Sequence, residues 1–301
     1  DQSVKEIADT KPRLVVFVLY GQTPNHGTTM MIGAAELADH LKKNFSNLKI
    51  GFIGSHTSAL PKEVIKLNYV DFAFINEGLI ALLALLQTDL KNKLEHIPGI
   101  WFKDIDGNPK KGKLGQIIPT EKMDIMMPGY AWDLLPKNNK PFDKYRAHFW
   151  HANFLHEKRT PFAAIYTSLG CQFACNFCMI NIVNRTSHED NVSSADSASM
   201  RFWSPDFILK EFEKLYEFGV RTLRITDEMF FLNRKYYVPI LKGLIKRGLK
   251  FNLWAYARVD TVRKDQLELF KKAGVNWLAL GIESGNQNIR VEIDKGRFKQ
   301  V

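Results

Sequence analysis

All three cysteines of this 301-residue chain fall within eight positions, Cys171-Gln-Phe-Ala-Cys175-Asn-Phe-Cys178, directly after an apolar, β-prone stretch. A C-x3-C-x2-C loop can wrap three thiolates around one face of an iron–sulfur cube, leaving the fourth iron open to a small molecule. An open iron points to chemistry rather than to electron transfer alone. A disulfide framework would need an even number of cysteines and an oxidising compartment, and nothing resembling a signal peptide opens the chain. A zinc site would want a fourth ligand, and the nearest candidates, His151, His156 and His188, do not stand at zinc-knuckle spacing. Zinc and inert buried thiols stay open as the alternative readings.

The chain around this loop alternates strand and helix. Arg13 to Tyr20 is a continuous apolar run, as in a buried parallel strand. A loop Gly21 to Gly27 follows, then a helix over Met30 to Lys43 for which Thr28 or Thr29 is the expected cap. A second unit has a strand at Leu48 to Ile53, a loop Gly54 to Pro61 and a short helix through Leu67. The third has a strand at Val70 to Ile75, a turn Asn76-Glu77-Gly78 and a helix Leu79 to Leu90. Ile97 to Lys103 and Gly115 to Ile118 read as a hairpin around Asp106-Gly107. This series predicts an α/β fold with an N-terminal doubly wound, Rossmann-like parallel sheet over 1–118, whose strand-end loops gather at the carboxyl edge where such sheets bind ligands. No GxGxxG fingerprint appears, so a dinucleotide is not indicated.

Residues 119–160 lack periodicity and read as a linker. A second βα series fills 161–301, with strands at Phe162 to Ser168, Thr222 to Thr226, Asn252 to Ala257 and Trp277 to Gly281. Helices are expected at Ser204 to Glu217, with Ser204 as N-cap and Pro205 at N1, at Lys235 to Arg247 and at Lys264 to Ala273. Ser187 to Ser199 is a polar loop. The excess of Lys+Arg (42) over Asp+Glu (32) is scattered rather than clustered, which is weak support for a nucleic-acid partner. The longest apolar stretch, Leu79 to Leu86, is far short of the roughly 20 residues that span a bilayer.

The cysteine loop, with Phe177 before the third thiol, resembles that of the radical S-adenosylmethionine (SAM) superfamily, and further motifs resemble its cobalamin-dependent branch. They are Gly54-Ser-His56-Thr57-Ser-Ala-Leu-Pro61, Asn76-Glu77-Gly78, Ile97-Pro-Gly99 and Ala131-Trp-Asp-Leu-Leu-Pro136 in the first half. In the second half they are Arg224 to Phe230 with Asn233, Trp254 with Arg258-Val-Asp260, and Gly281-Ile-Glu283-Ser284-Gly285. The resemblance implies a partial (β/α)6 radical SAM barrel of four βα units, truncated at its C-terminus, behind a cobalamin-binding domain. It implies a [4Fe-4S] cluster on Cys171, Cys175 and Cys178, with SAM on the open iron. Asp227 and Glu228 would face the SAM amino group, Arg258 its carboxylate, and Glu283 or Ser284 the ribose; Gly54, His56, Thr57 and Glu77 would line the cobalamin site. One departure matters. The Asp-x-His-x-x-Gly that many cobalamin proteins carry, whose histidine is the lower ligand of cobalt, is missing, and Asn25-His26-Gly27 stands in the first loop instead. Cobalamin is therefore expected without that lower ligand or with another group, such as His26, below the cobalt.

The activity implied is generation of a 5′-deoxyadenosyl radical and methylation of an unactivated carbon in a small-molecule substrate. Cyclisation or rearrangement is the alternative within the branch, and a non-catalytic cluster or cobalamin carrier the alternative outside it. A tRNA methylthiotransferase is disfavoured because residues 1–170 contain no cysteine for a second cluster. A flavodoxin- or ferredoxin-like one-electron donor and a reducing cytoplasm complete the expectation.

Overall fold

The structure, a computed structural model, describes residues 2–20, 24–135, 145–189, 193, 195 and 197–295, with the side chains of 24–26 excepted. The chain divides into two compact units, Asp1–Ile118 with Gln172–Ser199, and Pro119–Cys171 with Met200–Val301.

The first unit begins with α1 (Gln2–Asp9), β1 (Leu14–Leu19), α2 (Pro24–Asn44), β2 (Lys49–Gly54), α3 (Ser55–Ala59), α4 (Pro61–Lys66), β3 (Phe72–Phe74) and α5 (Leu79–Leu86). β4 (Ile100–Lys103) and β5 (Pro109–Lys111) complete its sheet. β1, β2 and β3 pair in parallel, and β4 and β5 continue the sheet antiparallel, in the order 1-2-3-4-5. The mixed α/β class with a parallel core holds. Within it the connections advance across the sheet in one direction, where a doubly wound order would reverse at a switch point. The strands are apolar on both faces because helices and loops cover both: Ile50, Phe52, Ala73 and Phe74 are fully buried.

Three local expectations change. α2 begins at Pro24, so Thr28 and Thr29 lie inside the helix rather than at its cap. Residues 21–23 and the His26 side chain lie outside the described residues. The stretch after β2 is helical, as α3 and α4, with Pro61 at the N-terminus of α4, where its missing N–H costs nothing. The second hairpin strand is β5 at Pro109–Lys111, paired with Trp101, Phe102 and Lys103, rather than Gly115 to Ile118.

The second unit contains α6 (Met123–Met126), β6 (Phe162–Ile165), β7 (Ser168–Cys171), β8 (Ser199–Phe202), α7 (Pro205–Glu217), β9 (Thr222–Ile225), α8 (Arg234–Lys246), β10 (Asn252–Arg258), α9 (Leu267–Lys272), β11 (Val275–Gly281) and α10 (Gln287–Glu292). β6, β9, β10 and β11 form a parallel sheet in the order 11-10-9-6, with β7 and β8 as a separate ribbon. Ser204 Oγ accepts from Phe207 N at 3.2 Å, the N-cap expected for α7 and worth about 1 kcal/mol. Asn233 caps α8 in the same way, accepting from Lys235 N at 3.1 Å.

Residues 119–135 and 145–160 belong to this second unit. Trp132 Nε1 donates to Glu211 Oε2 at 3.0 Å, and Tyr166 N donates to Tyr130 Oη at 2.9 Å. Conversely, the 172–199 segment is tied to the first sheet. Asn76 Nδ2 donates to Arg185 O at 3.1 Å, Gly115 N to Thr186 O at 2.7 Å, and His188 Nε2 lies 2.8 Å from Lys113 O.

Candidate active site

β7 follows the first strand of the parallel sheet and ends on Cys171, whose thiol is buried. Cys175 is buried, Cys178 is half-buried, and none of the three forms a disulfide. The chain turns between them through Cys178 N donating to Cys175 O at 3.0 Å. Asn181, itself buried, braces the loop by donating from Nδ2 to Phe173 O at 3.0 Å. Phe177 is 52% exposed, so it is not core packing. Among the described residues no three His, Cys, Asp or Glu side chains converge as a preformed metal-ligand set. The fit to a cluster therefore rests on donor chemistry: three thiols on one braced loop of eight residues match the soft, three-point ligation of an iron–sulfur cube.

At the carboxyl end of β9, Asp227 is buried and accepts three hydrogen bonds, from Thr167 N and Thr167 Oγ1 at 2.6 Å and from Ser168 Oγ at 2.5 Å. Its carboxylate thus grips the turn joining β6 to the cysteine-bearing β7. Burial pushes its pKa up to about 6, outweighing the hydrogen bonds from Ser168 and Thr167 that pull it down. Tyr236 Oη, donating to Thr167 O at 2.6 Å, braces the same turn. The geometry thus gives Asp227 a holding role at this turn. Glu228 is pushed up to about 7, first by burial and then by the nearby Asp227 charge, with Arg224 and Lys295 opposing.

Arg258, at the end of β10, donates from Nε to Asp260 Oδ1 and from Nη2 to Asp260 Oδ2, both at 2.9 Å. This bidentate pair fixes the guanidinium plane and holds the Asp260 carboxyl below the usual carboxylate range. Beyond β11, Glu283 adopts a positive φ of 65° and pairs with Lys295 at 3.0 Å. Ser284 Oγ accepts from Asn286 N at 3.1 Å. Asp227, Glu228, Arg258 and Glu283 all stand at the carboxyl ends of parallel strands, where barrel enzymes carry their working residues.

The carboxyl edge of the first unit is also built for close approach. Gly54 has φ 150°, and a Cβ there would lie 2.3 Å from Leu19 O, so the end of β1 and the entry to α3 come together only on glycine. His56 Nδ1 lies 3.1 Å from Thr28 Oγ1, and burial lowers its pKa against the opposing charge of Glu63. Ser55 Oγ and Thr57 Oγ1 are buried with no hydrogen-bond partner. Buried hydroxyls without partners are costly, each on the order of 1–3 kcal/mol. They fit a polar group supplied from outside the chain. Glu77 is half-buried in the turn after β3, where Asn76 Oδ1 accepts from Gly78 N at 3.1 Å.

Sequence reasoning missed Arg185. Its buried guanidinium donates to Ser58 O, to Ala59 O at 3.2 Å and to Glu189 O, holding the short α3 in place. An arginine in a polar loop gives no sequence signal of such a role.

Residues 165–301 match the family model of the radical SAM superfamily. This region is a radical SAM domain. The chain is 26% identical, over 278 residues, to an uncharacterized methyltransferase of Pyrococcus horikoshii, covering 89% of this chain and 52% of that protein. It is 30% identical over 129 residues to the anaerobic magnesium-protoporphyrin IX monomethyl ester cyclase of Cereibacter sphaeroides, covering 39% of this chain and 18% of the cyclase. Among solved structures it shares its fold with the radical SAM methyltransferase TsrM of Kitasatospora setae (TM-score 0.70, 13% identity, 99% of this chain and 54% of that one). It likewise shares the fold of the cobalamin-dependent SAM radical enzyme OxsB (TM-score 0.64, 18% identity, 98% of this chain and 39% of that one). The chain spans about half the length of the methyltransferase it matches.

Proposed function

We propose that this chain forms the cofactor-binding and radical-generating part of a cobalamin-dependent radical SAM methyltransferase acting on a small molecule. When bound, the cluster, SAM and cobalamin would supply one-electron cleavage to an adenosyl radical and a transferable methyl group. The chain's own residues supply binding and orientation. Cys171, Cys175 and Cys178 would ligate three irons. Asp227, by holding Thr167 and Ser168, would fix the turn from which Cys171 projects. Glu228 would accept from the SAM ammonium, Arg258 with its plane set by Asp260 would meet the carboxylate, and Glu283 or Ser284 would hold the ribose.

The observation that carries the cobalamin reading is the pair of buried hydroxyls without partners, Ser55 Oγ and Thr57 Oγ1, beside the close approach at Gly54. The methyltransferase similarity across 89% of the chain favours methyl transfer. The cyclase similarity, over 39% of the chain, makes radical cyclisation the second reading. No helix among the described residues is long and apolar enough to cross a membrane. A reducing cytoplasm and an external one-electron donor fit an oxygen-sensitive cluster.

The test is an anaerobic titration of the full chain with hydroxocobalamin, followed through the cobalt absorption bands. Saturable binding is expected, with Thr57→Val weakening it about five-fold, the loss of roughly one hydrogen bond. Failure of folded wild-type protein to bind at millimolar cobalamin removes the cofactor from the proposal.

A further inference from the structure

Arg224 lies in the middle of β9, and only 2% of it is exposed. It is in register with Ala164 of β6 and Trp254 of β10, and Trp254 with Trp277 of β11. The alternate residues Ala163, Leu223, Ile225, Leu253 and Ala255 are buried, so Arg224, Trp254 and Tyr256 share the opposite face of the sheet. The guanidinium carbon sits 4.4 Å from the centre of the Trp254 ring and 4.7 Å from that of Tyr256. These two contacts hold its charge in place but do not hydrogen-bond it. Its Nε is buried with no hydrogen-bond partner, and no ion pair of Arg224 occurs among the described residues. Glu228 and Tyr166 act on it only through space, and burial lowers its pKa.

A buried guanidinium with no hydrogen-bonded anion, Glu228 reaching it only through space, is a costly arrangement for a fold to hold. The strand did not need it for packing, since an apolar residue would fill the same face. Ala164, its in-register neighbour on β6, adds only a methyl group beside it. We infer that Arg224 is an anion-binding residue on the sheet face it shares with Trp254 and Tyr256, receiving the carboxylate of a substrate at the guanidinium that these two rings hold. A planar, singly charged carboxylate matches the fork of one guanidinium and the flat aromatic walls. A phosphate dianion fits less well, because Glu228 lies close enough to influence Arg224 electrostatically. This inference rests on the radical SAM reading for the word substrate, while the anion site itself does not.

Carboxylate binding is tested on the full chain by titrating phenylacetate against its neutral isostere phenylacetamide, following tryptophan fluorescence. The wild type is expected to bind phenylacetate at least ten-fold more tightly than the amide. Arg224→Gln should abolish that preference, and Arg224→Lys, which keeps the charge but loses the fork, should retain part of it. Equal affinity for acid and amide in the wild type, or a preference that survives Arg224→Gln, overturns the inference. If Arg224→Gln does not fold, the wild-type comparison and Arg224→Lys still decide. The titration is repeated with saturating SAM. Phenylacetate binding that persists supports a substrate subsite, whereas displacement by SAM would assign Arg224 to the SAM carboxylate and overturn it. Failure of the radical SAM reading would appear separately, as wild-type protein that cleaves no SAM.

Discussion

Asp227 holds the cysteine-bearing strand while sitting in surroundings that disfavour its charge, and this has a measurable consequence. Its folded pKa of about 6 exceeds the ordinary value of 3.8. An acid whose pKa is raised on folding binds more protons when folded than when unfolded, so its contribution to stability falls as pH rises through that window. At about 1.4 kcal/mol per pH unit, the interval from 3.8 to about 6 amounts to about 3 kcal/mol, of which roughly 2 kcal/mol falls between pH 4.5 and 7. Asp227→Asn removes the charge but keeps an oxygen for Thr167 N, and the hydroxyls of Thr167 and Ser168 can turn to accept from the amide. The variant should therefore lose on the order of 1 kcal/mol at all pH values while gaining about 2 kcal/mol on the wild type between pH 4.5 and 7. Glu228, whose pKa is raised partly by Asp227, adds in the same direction. The assay is urea unfolding followed by tryptophan fluorescence at several pH values. Of the six tryptophans only Trp101 lies outside the second unit, so the signal reports the unit that holds Asp227. A stability difference that is flat across this range, or that favours the wild type as pH rises, would mean the three hydrogen bonds outweigh burial.

Replacing Cys178 with Ala should leave the circular dichroism spectrum unchanged while reconstituted iron drops from about four per chain to a small fraction, as expected of a cluster losing one of three protein ligands. Gly54→Ala places a Cβ 2.3 Å from Leu19 O at a φ of 150°, which should cost on the order of 3 kcal/mol in the first unit and lower its melting temperature by several degrees. Asp260→Ala leaves the buried Arg258 without its bidentate partner, an expected loss of about 3–5 kcal/mol in urea unfolding of the second unit.

The parallel strands of the second unit were legible through their short β-branched and apolar runs, although burial alternates along β6 and β10, and α7 was legible through Ser204-Pro205. The start of α2 was not: Pro24 reads equally well as a loop residue, and the apolar spacing begins only at Met30. β5 was missed because Pro109-Lys110-Lys111 is a largely exposed edge strand with no apolar pattern to reveal it. α3 was read as a loop because Ser55-His56-Thr57-Ser58 has weak helix propensity; the segment is held instead by Arg185 from 127 positions along the chain. The three thiols were evident from spacing alone. Asp227 was legible as a strand-end charge, but its grip on Thr167 and Ser168 depends on a contact across 60 residues that no local pattern encodes. Arg224 stands within the strand-end motif, yet its lack of a hydrogen-bonded anion is a property of the folded sheet.

The central claim is that the three thiols and the strand-end residues support reductive cleavage of SAM. The most direct measurement is 5′-deoxyadenosine, quantified by mass spectrometry after the cluster-reconstituted, dithionite-reduced full chain is incubated anaerobically with SAM. The account predicts product that accumulates with time in the wild type and is lost in Cys178→Ala. A fully loaded cluster that binds SAM yet yields no 5′-deoxyadenosine would contradict it.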